Sequence, residues 1–225
     1  MKSKFSVIIT SGGNGTRFNG DKMLVLLKGK PLIIHTIERF HQHESIDEII
    51  LLVKEEMIKK YQKIINKKFI KVKIVLASCE RIMSVYQGIK EAKNKYVITH
   101  DGNRPLTPVS LIDKLIKETL KHKAVMTAIP PTATIKYSNG NFVDKSLERS
   151  KTWIAQTPQG FEKKLLLTAF QKAIDNKYFL STDDSEFVTK LGKKVRILLG
   201  DEVNMKVTFP HDLIIAEQLL NLNIK

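Results

Sequence analysis

Short apolar, β-branched runs alternate with amphipathic segments along the chain, and this alternation restricts the fold more than any other feature. The runs read as strands over Phe5–Thr10, Glu48–Val53, Lys71–Leu76, Tyr96–Asp101, Ala124–Pro130 and Val195–Gly200. Helical periodicity covers Pro31–His43, Arg81–Ala92, Pro108–Lys121, Glu162–Asn176, Asp183–Leu191 and Pro210–Asn221. Pro108 and Pro210 suit a first helical turn, where the missing N–H costs nothing. The pattern predicts an α/β chain with a largely parallel sheet, here one domain over residues 1–225. Ligands of such sheets lie beyond the carboxyl ends of the strands. The residues just after each strand are therefore the ones to read for chemistry.

One segment breaks the alternation. Residues 132–153 show no helical period, and Ser138-Asn139-Gly140-Asn141 is a hairpin signal. A projecting β-arm is expected there. Such an arm has little core of its own and needs a partner surface.

Several function classes fall away. The apolar runs are too short to span a membrane, and the first residues lack a signal-peptide core. A cytoplasmic location is the expectation. The one cysteine, Cys79, excludes an internal disulfide and a Cys-built zinc site; it reads as a packing residue. The net charge of +15 comes mostly from lysines scattered along solvent faces, with only six arginines. No arginine-rich tract or aromatic–basic interleaving marks a nucleic-acid surface. A small anionic substrate is the better match, because a guanidinium fork suits phosphate.

The first strand runs into Ser11-Gly12-Gly13-Asn14-Gly15-Thr16-Arg17-Phe18-Asn19-Gly20-Asp21-Lys22. Glycines after a strand let backbone amides approach a phosphate closely. This is not a P-loop, since Asp21 stands where the Lys-Ser/Thr pair would follow. It is not a dinucleotide fingerprint either, because the last glycine is missing. Instead Arg17 and Lys22 place two cations beside a bare backbone, which suits charge building on an attacked phosphorus.

This loop resembles the signature of sugar-nucleotidyltransferases. Further motifs narrow the resemblance: His100-Asp101-Gly102-Asn103-Arg104-Pro105, Ala155-Gln156-Thr157-Pro158-Gln159-Gly160-Phe161, Thr182-Asp183-Asp184 and Asn204-Met205-Lys206-Val207-Thr208. Together, in this order and over nearly the whole chain, they resemble the 2-C-methyl-D-erythritol 4-phosphate cytidylyltransferase family. The resemblance implies a Rossmann-like nucleotidyltransferase fold with a mostly parallel sheet and the projecting arm. It implies CTP and a polyol phosphate as substrates, with magnesium on the triphosphate. Ribitol-5-phosphate cytidylyltransferases share the fold and the chemistry; the return of the arm, Leu147–Trp153, is similar to the methylerythritol group.

Roles follow from the matched motifs. Arg17 and Lys22 would stabilise the transition state and Lys206 would hold the attacking phosphate close to the CTP phosphates, with Ser11, Gly12, Gly13 and Gly15 around the nucleotide. Ser78, Arg81 and Ser84 match the nucleotide-binding segment at the start of a helix. Asp101 would face magnesium or substrate hydroxyls, and Arg104, Thr157 and Thr182 would contact the acceptor. Thr134 and Arg149 match arm residues that reach the neighbouring subunit's site, implying a homodimer through the arm. His100 reads as a structural histidine at a strand end rather than a base.

The chain also departs from the family. The segment between Arg17 and Lys22 is shorter than usual, and Asp21 stands where proline is expected, a spacing that resembles molybdenum-cofactor guanylyltransferases. Ala77-Ser78 replace a Gly-Gly pair, so a backbone needing positive φ would be less accessible. Gly102-Asn103 replace Ala-Ala, and Ala133 precedes Thr134 where aspartate is common.

Overall fold

The computed structural model describes residues 3–11, 21–65, 68–179, 181 and 183–222. Gly12, Gly13, Gly15, Arg17 and Thr182 lie outside the described residues. In chain order the elements are β1 (Phe5–Thr10), β2 (Leu26–Leu27), β3 (Lys30–Pro31), α1 (Leu32–His41), β4 (Ile46–Val53), α2 (Ile58–Ile64) and β5 (Val72–Leu76). Then come α3 (Arg81–Glu91), β6 (Tyr96–Asp101), α4 (Val109–His122), β7 (Ala124–Ile129), β8 (Lys136–Ser138) and β9 (Val143–Ser146). The last are β10 (Ile154–Glu162), α5 (Lys163–Asp175), α6 (Asp184–Lys190), β11 (Arg196–Leu199) and α7 (Pro210–Asn221).

Seven strands form the main sheet in the order β11-β7-β10-β6-β1-β4-β5. All pairs are parallel except those made by β10, which runs against both β6 and β7. The expectation of an α/β chain with a mostly parallel sheet therefore holds. β1 is apolar on both faces because helices cover both sides. Phe5, Val7 and Ile9 pack with Ile33, Ile37 and Phe40 of α1 and Ile112 and Leu115 of α4. Ile8 points the other way, into a second core with Ile82, Val85 and Ile89 of α3, Leu166 and Phe170 of α5, and Phe187 of α6. α7 closes a smaller cluster, where Ala216 meets Leu27, Leu32, Leu106 and Val207.

Helix α1 shows the local logic. Leu32, Ile33, Thr36, Ile37 and Phe40 are buried, at the spacing of one helical face. Gly160 marks a close approach of α4 to the sheet: a Cβ there would stand 2.0 Å from the Thr119 hydroxyl oxygen. Gly102 is similarly required, since its Cβ would lie 2.8 Å from the Thr10 carbonyl oxygen.

Three expectations need correction. β10 passes through Gln156–Phe161, which carries too many polar residues and a proline to read as a strand; it also holds a cis Thr157–Pro158 bond. Helix α2 was not expected; its seven residues are too few for a clear period, and only Tyr61 is buried. Pro108 is the residue preceding α4, not part of its first turn, whereas Pro210 does open α7. The hairpin is present as β8 and β9, paired antiparallel, with every residue of both strands exposed.

Candidate active site

The carboxyl ends of β1, β4, β5 and β6 lie side by side. Ser11 N–H donates to the Leu52 carbonyl at 3.2 Å, Ala77 N–H to Val53 at 2.8 Å, and Gly102 N–H to Thr10 at 2.9 Å. Between them opens a shallow cleft lined by Thr10, Leu52, Lys54, Ala77, Ser78, Cys79, Arg81 and Ser84. The structure thus gathers Ser78, Arg81 and Ser84 on one wall, beside the end of β1.

That wall is held from within. The Ser84 hydroxyl, in the first turn of α3, meets the carbonyls of Ser78 and Glu80, each at 3.0 Å. Its proton is thereby spent on fixing the loop, while the oxygen can still accept. Ala77 and Ser78 do not adopt positive φ: among the described residues the non-glycine cases are Lys28, Lys123 and Lys177. The loss of the Gly-Gly pair is therefore met without strain. Cys79 is exposed on the cleft wall and not a packing residue, because the loop turns its side chain away from the core. Arg81 donates from Nη1 to Asp184 Oδ1 at 2.6 Å. Burial works against the Arg81 charge, yet Asp184 first, then Asp101 and Asp183, raise its pKa above the usual arginine value.

A second cluster centres on Asp101, the last residue of β6. Its Oδ2 accepts from Arg104 Nε at 3.2 Å and pairs with Lys206 Nζ at 3.1 Å. Burial opposes the charged carboxylate, but Lys206, Arg104 and Arg81 outweigh it and hold the carboxyl well below the usual range. Lys206 remains 48% exposed, so its ammonium can reach a ligand. Arg104 is different. It is buried, and Nη1 donates to the Asn204 carbonyl at 2.7 Å, so its main work is to join two loops.

Thr157 is also turned inward: its hydroxyl accepts the Asp101 N–H at 3.0 Å. Asn204, fully buried, donates to the Thr157 carbonyl at 2.8 Å and accepts from the Thr107 hydroxyl at 2.9 Å. Asn103 donates to the Val207 carbonyl at 2.6 Å. Lys206 is thus fixed between two anchored neighbours. His100 is buried, and desolvation pushes its pKa down to about 3. A neutral ring with its proton on Nε2 donates to Thr107, 3.2 Å away, leaving the Thr107 hydroxyl to donate to Asn204. It is structural, as expected.

The remaining expected residues divide. Ser11 is buried, and both its hydroxyl, at 2.5 Å, and its N–H donate to the Leu52 carbonyl, so its donors tie the end of β1 to β4. Lys22 opens a 3-10 turn, Lys22–Leu24, at the exit of the glycine-rich segment. Thr134 and Arg149 are exposed on the arm, where Arg149 Nη1 donates to the Thr132 carbonyl at 3.4 Å. Exposed Tyr137, Phe142, Val143, Trp153 and Ile154 surround them. Sequence reasoning missed Asp184 and Asp183 as working carboxylates. Asp183 caps α6 and accepts from Gln159 Nε2 at 2.6 Å. The pair of aspartates at a helix start was the signal. Among the described residues, no group of three His, Cys, Asp or Glu side chains could hold a metal ion.

A family model described as 2-C-methyl-D-erythritol 4-phosphate cytidylyltransferase matches residues 5–222. A protein of that name from Clostridioides difficile (strain 630) is 39% identical over 224 residues, covering 97% of this chain and 94% of its own. One from Bacillus velezensis is 37% identical over 223 residues, covering 96% of each. The crystal structure of 4-diphosphocytidyl-2C-methyl-D-erythritol synthase from Anaerococcus prevotii superposes with a TM-score of 0.87 at 30% identity, covering 97% of this chain and 99% of that one.

Proposed function

From the premise that the chain belongs to the 2-C-methyl-D-erythritol 4-phosphate cytidylyltransferase family, we propose the following reaction for its cleft. The enzyme transfers CMP from CTP to 2-C-methyl-D-erythritol 4-phosphate. A phosphate oxygen of the acceptor attacks the α-phosphorus of CTP; a P–O bond forms, the bond to the β-phosphate oxygen breaks, and pyrophosphate leaves. The nucleophile is already an anion, so no base is needed, in keeping with the neutral, buried His100.

The observation that carries the reading is the convergence of Lys206 on Asp101, a carboxylate that also feels the charge of Arg81 on the cleft wall. Two polyanions repel strongly at contact distance in a partly dry site. Catalysis is then positioning plus fixed positive charge. Lys206 and Lys22 supply it in our reading, with Arg17 from the glycine-rich segment. The Ser78–Ser84 wall takes the nucleoside, with backbone groups doing most of the reading.

Magnesium fits as a passenger of the triphosphate rather than as a resident of a protein cage, because Asp101 offers a single carboxylate. Bound there it would neutralise the leaving pyrophosphate. Asp101 would be its protein contact. For the arm we propose that Thr134 and Arg149 complete the acceptor site of a second copy in a homodimer, which would also cover the apolar residues of the hairpin.

The test is pyrophosphate release from CTP and magnesium with methylerythritol phosphate, run beside ribitol 5-phosphate. Release with the first acceptor alone supports the reading. Release with ribitol 5-phosphate alone assigns the rival acceptor, and none with either rejects the transfer.

A further inference from the structure

The residue that stands in place of the expected proline is not idle. Asp21 directly precedes Lys22, and its carboxylate makes contacts in two directions. Oδ1 accepts the Met23 N–H at 3.0 Å, capping the 3-10 turn that carries Lys22. Oδ2 accepts from the Tyr61 hydroxyl at 3.4 Å. Tyr61 is 1% exposed and comes from α2, the short helix that presents one buried side chain. Tyr61 thus reaches the residue that closes the glycine-rich segment on its C-terminal side.

We infer that Asp21 and Tyr61 form a clamp that positions Lys22, doing by hydrogen bonding what a proline does by fixing φ. A proline restricts the backbone covalently. An aspartate at the same place must be tied by its side chain, and a buried tyrosine hydroxyl needs a partner in return. Each requirement satisfies the other. The capped turn then starts at Lys22 in a defined direction, and Met23, 6% exposed, anchors it in the core. Asp21 and Tyr61 are positioning residues: they act on the reaction through Lys22. The inference rests on the reading of Lys22 as a cation that stabilises the transition state.

The experiment compares Asp21→Ala, Asp21→Asn, Tyr61→Phe and Lys22→Ala in the full-length chain, with kcat and both KM values measured for each and folding checked by thermal melting. Lys22→Ala should lower kcat by on the order of a hundredfold, the scale of a lost transition-state donor. Asp21→Ala should lower kcat about tenfold with either KM changed less than about threefold, since a misplaced group costs rate more than binding. Asp21→Asn keeps an oxygen for the Met23 N–H and turns an amide N–H toward the Tyr61 oxygen, which can accept it, and should return kcat to within about twofold of the parent. Tyr61→Phe, which removes one atom from the clamp, should lower kcat about threefold. Normal turnover in Lys22→Ala would remove the catalytic reading of that lysine. An impaired Lys22→Ala beside a fully active Asp21→Ala would overturn the clamp alone, and so would an Asp21→Asn as slow as Asp21→Ala.

Discussion

Lys206 Nζ stands 3.1 Å from Oδ2 of Asp101, the same oxygen that Arg104 Nε reaches at 3.2 Å. One carboxylate oxygen thus holds an exposed cation and a buried one. The buried cation ties the loop after β6 to the loop before α7, and the other is left half-exposed to solvent.

Asp101→Asn should separate these two duties. It leaves the Arg104 guanidinium with its Asn204 contact but without a counter-charge, and a broken buried pair costs about 3–5 kcal/mol. Because Arg104 keeps its contact with the Asn204 carbonyl, we expect a loss at the low end of that range, read as a lower denaturation midpoint. Turnover should also fall by at least tenfold as Lys206 loses its fixed partner. Unchanged stability and turnover together would show that the cations, not the carboxylate, organise this cluster.

The buried His100 makes a prediction about acid. Its folded pKa is about 3, below the ordinary 6.5, so the unfolded chain binds the proton more readily between those values. Stability from keeping the ring neutral is complete above pH 6.5 and is lost as the pH falls toward 3. A urea midpoint measured across that window should drop more steeply in the parent than in His100→Gln. Parallel slopes would mean that other groups govern acid unfolding.

Gly160 has no room for a methyl group against Thr119. Gly160→Ala should cost about 1–3 kcal/mol, the usual penalty of overpacking. The double change Gly160→Ala with Thr119→Ser keeps the same clash, because the hydroxyl oxygen is the nearest atom, whereas Thr119→Ala should recover part of the loss. Chemical denaturation of the three variants decides it.

The arm can be tested by complementation. Arg149→Ala and Lys22→Ala subunits, each slow alone, should regain activity when mixed and allowed to exchange. If Arg149 serves the neighbour's site, each mixed dimer restores one intact site, giving roughly a quarter of parental turnover at random pairing. No recovery after verified exchange would place Arg149 in its own subunit's chemistry or outside it.

Much of the frame was legible in the sequence because it is written in β-branched runs. Phe5–Thr10 and Tyr96–Asp101 were read to the residue, since both are apolar strands that helices bury on two sides. β10 was not, because Gln156, Thr157 and Gln159 are buried polar residues whose partners lie far along the chain, in Asp201, Asn204 and Asp183. Strand propensity carries no trace of those pairings. The same holds at the site. The motifs around Asp101, Thr157 and Lys206 were found as motifs, yet spacing could not tell which side chains face the cleft and which face one another. Arg81 lines the cleft and Lys206 stays half-exposed beside Asp101, whereas Arg104 and Thr157 spend their polar atoms on the scaffold.

The reversed direction of β10 has an architectural outcome. A parallel strand delivers its last residue to the reactive rim, but an antiparallel one delivers its first, so the chain must already be at that rim when it enters Ile154. The hairpin just upstream is therefore launched from the margin where nucleotide chemistry takes place. Lengthening or trimming its tip would alter only outward reach. Shortening its base would tug directly on Thr157 and, through that hydroxyl, on the backbone of Asp101.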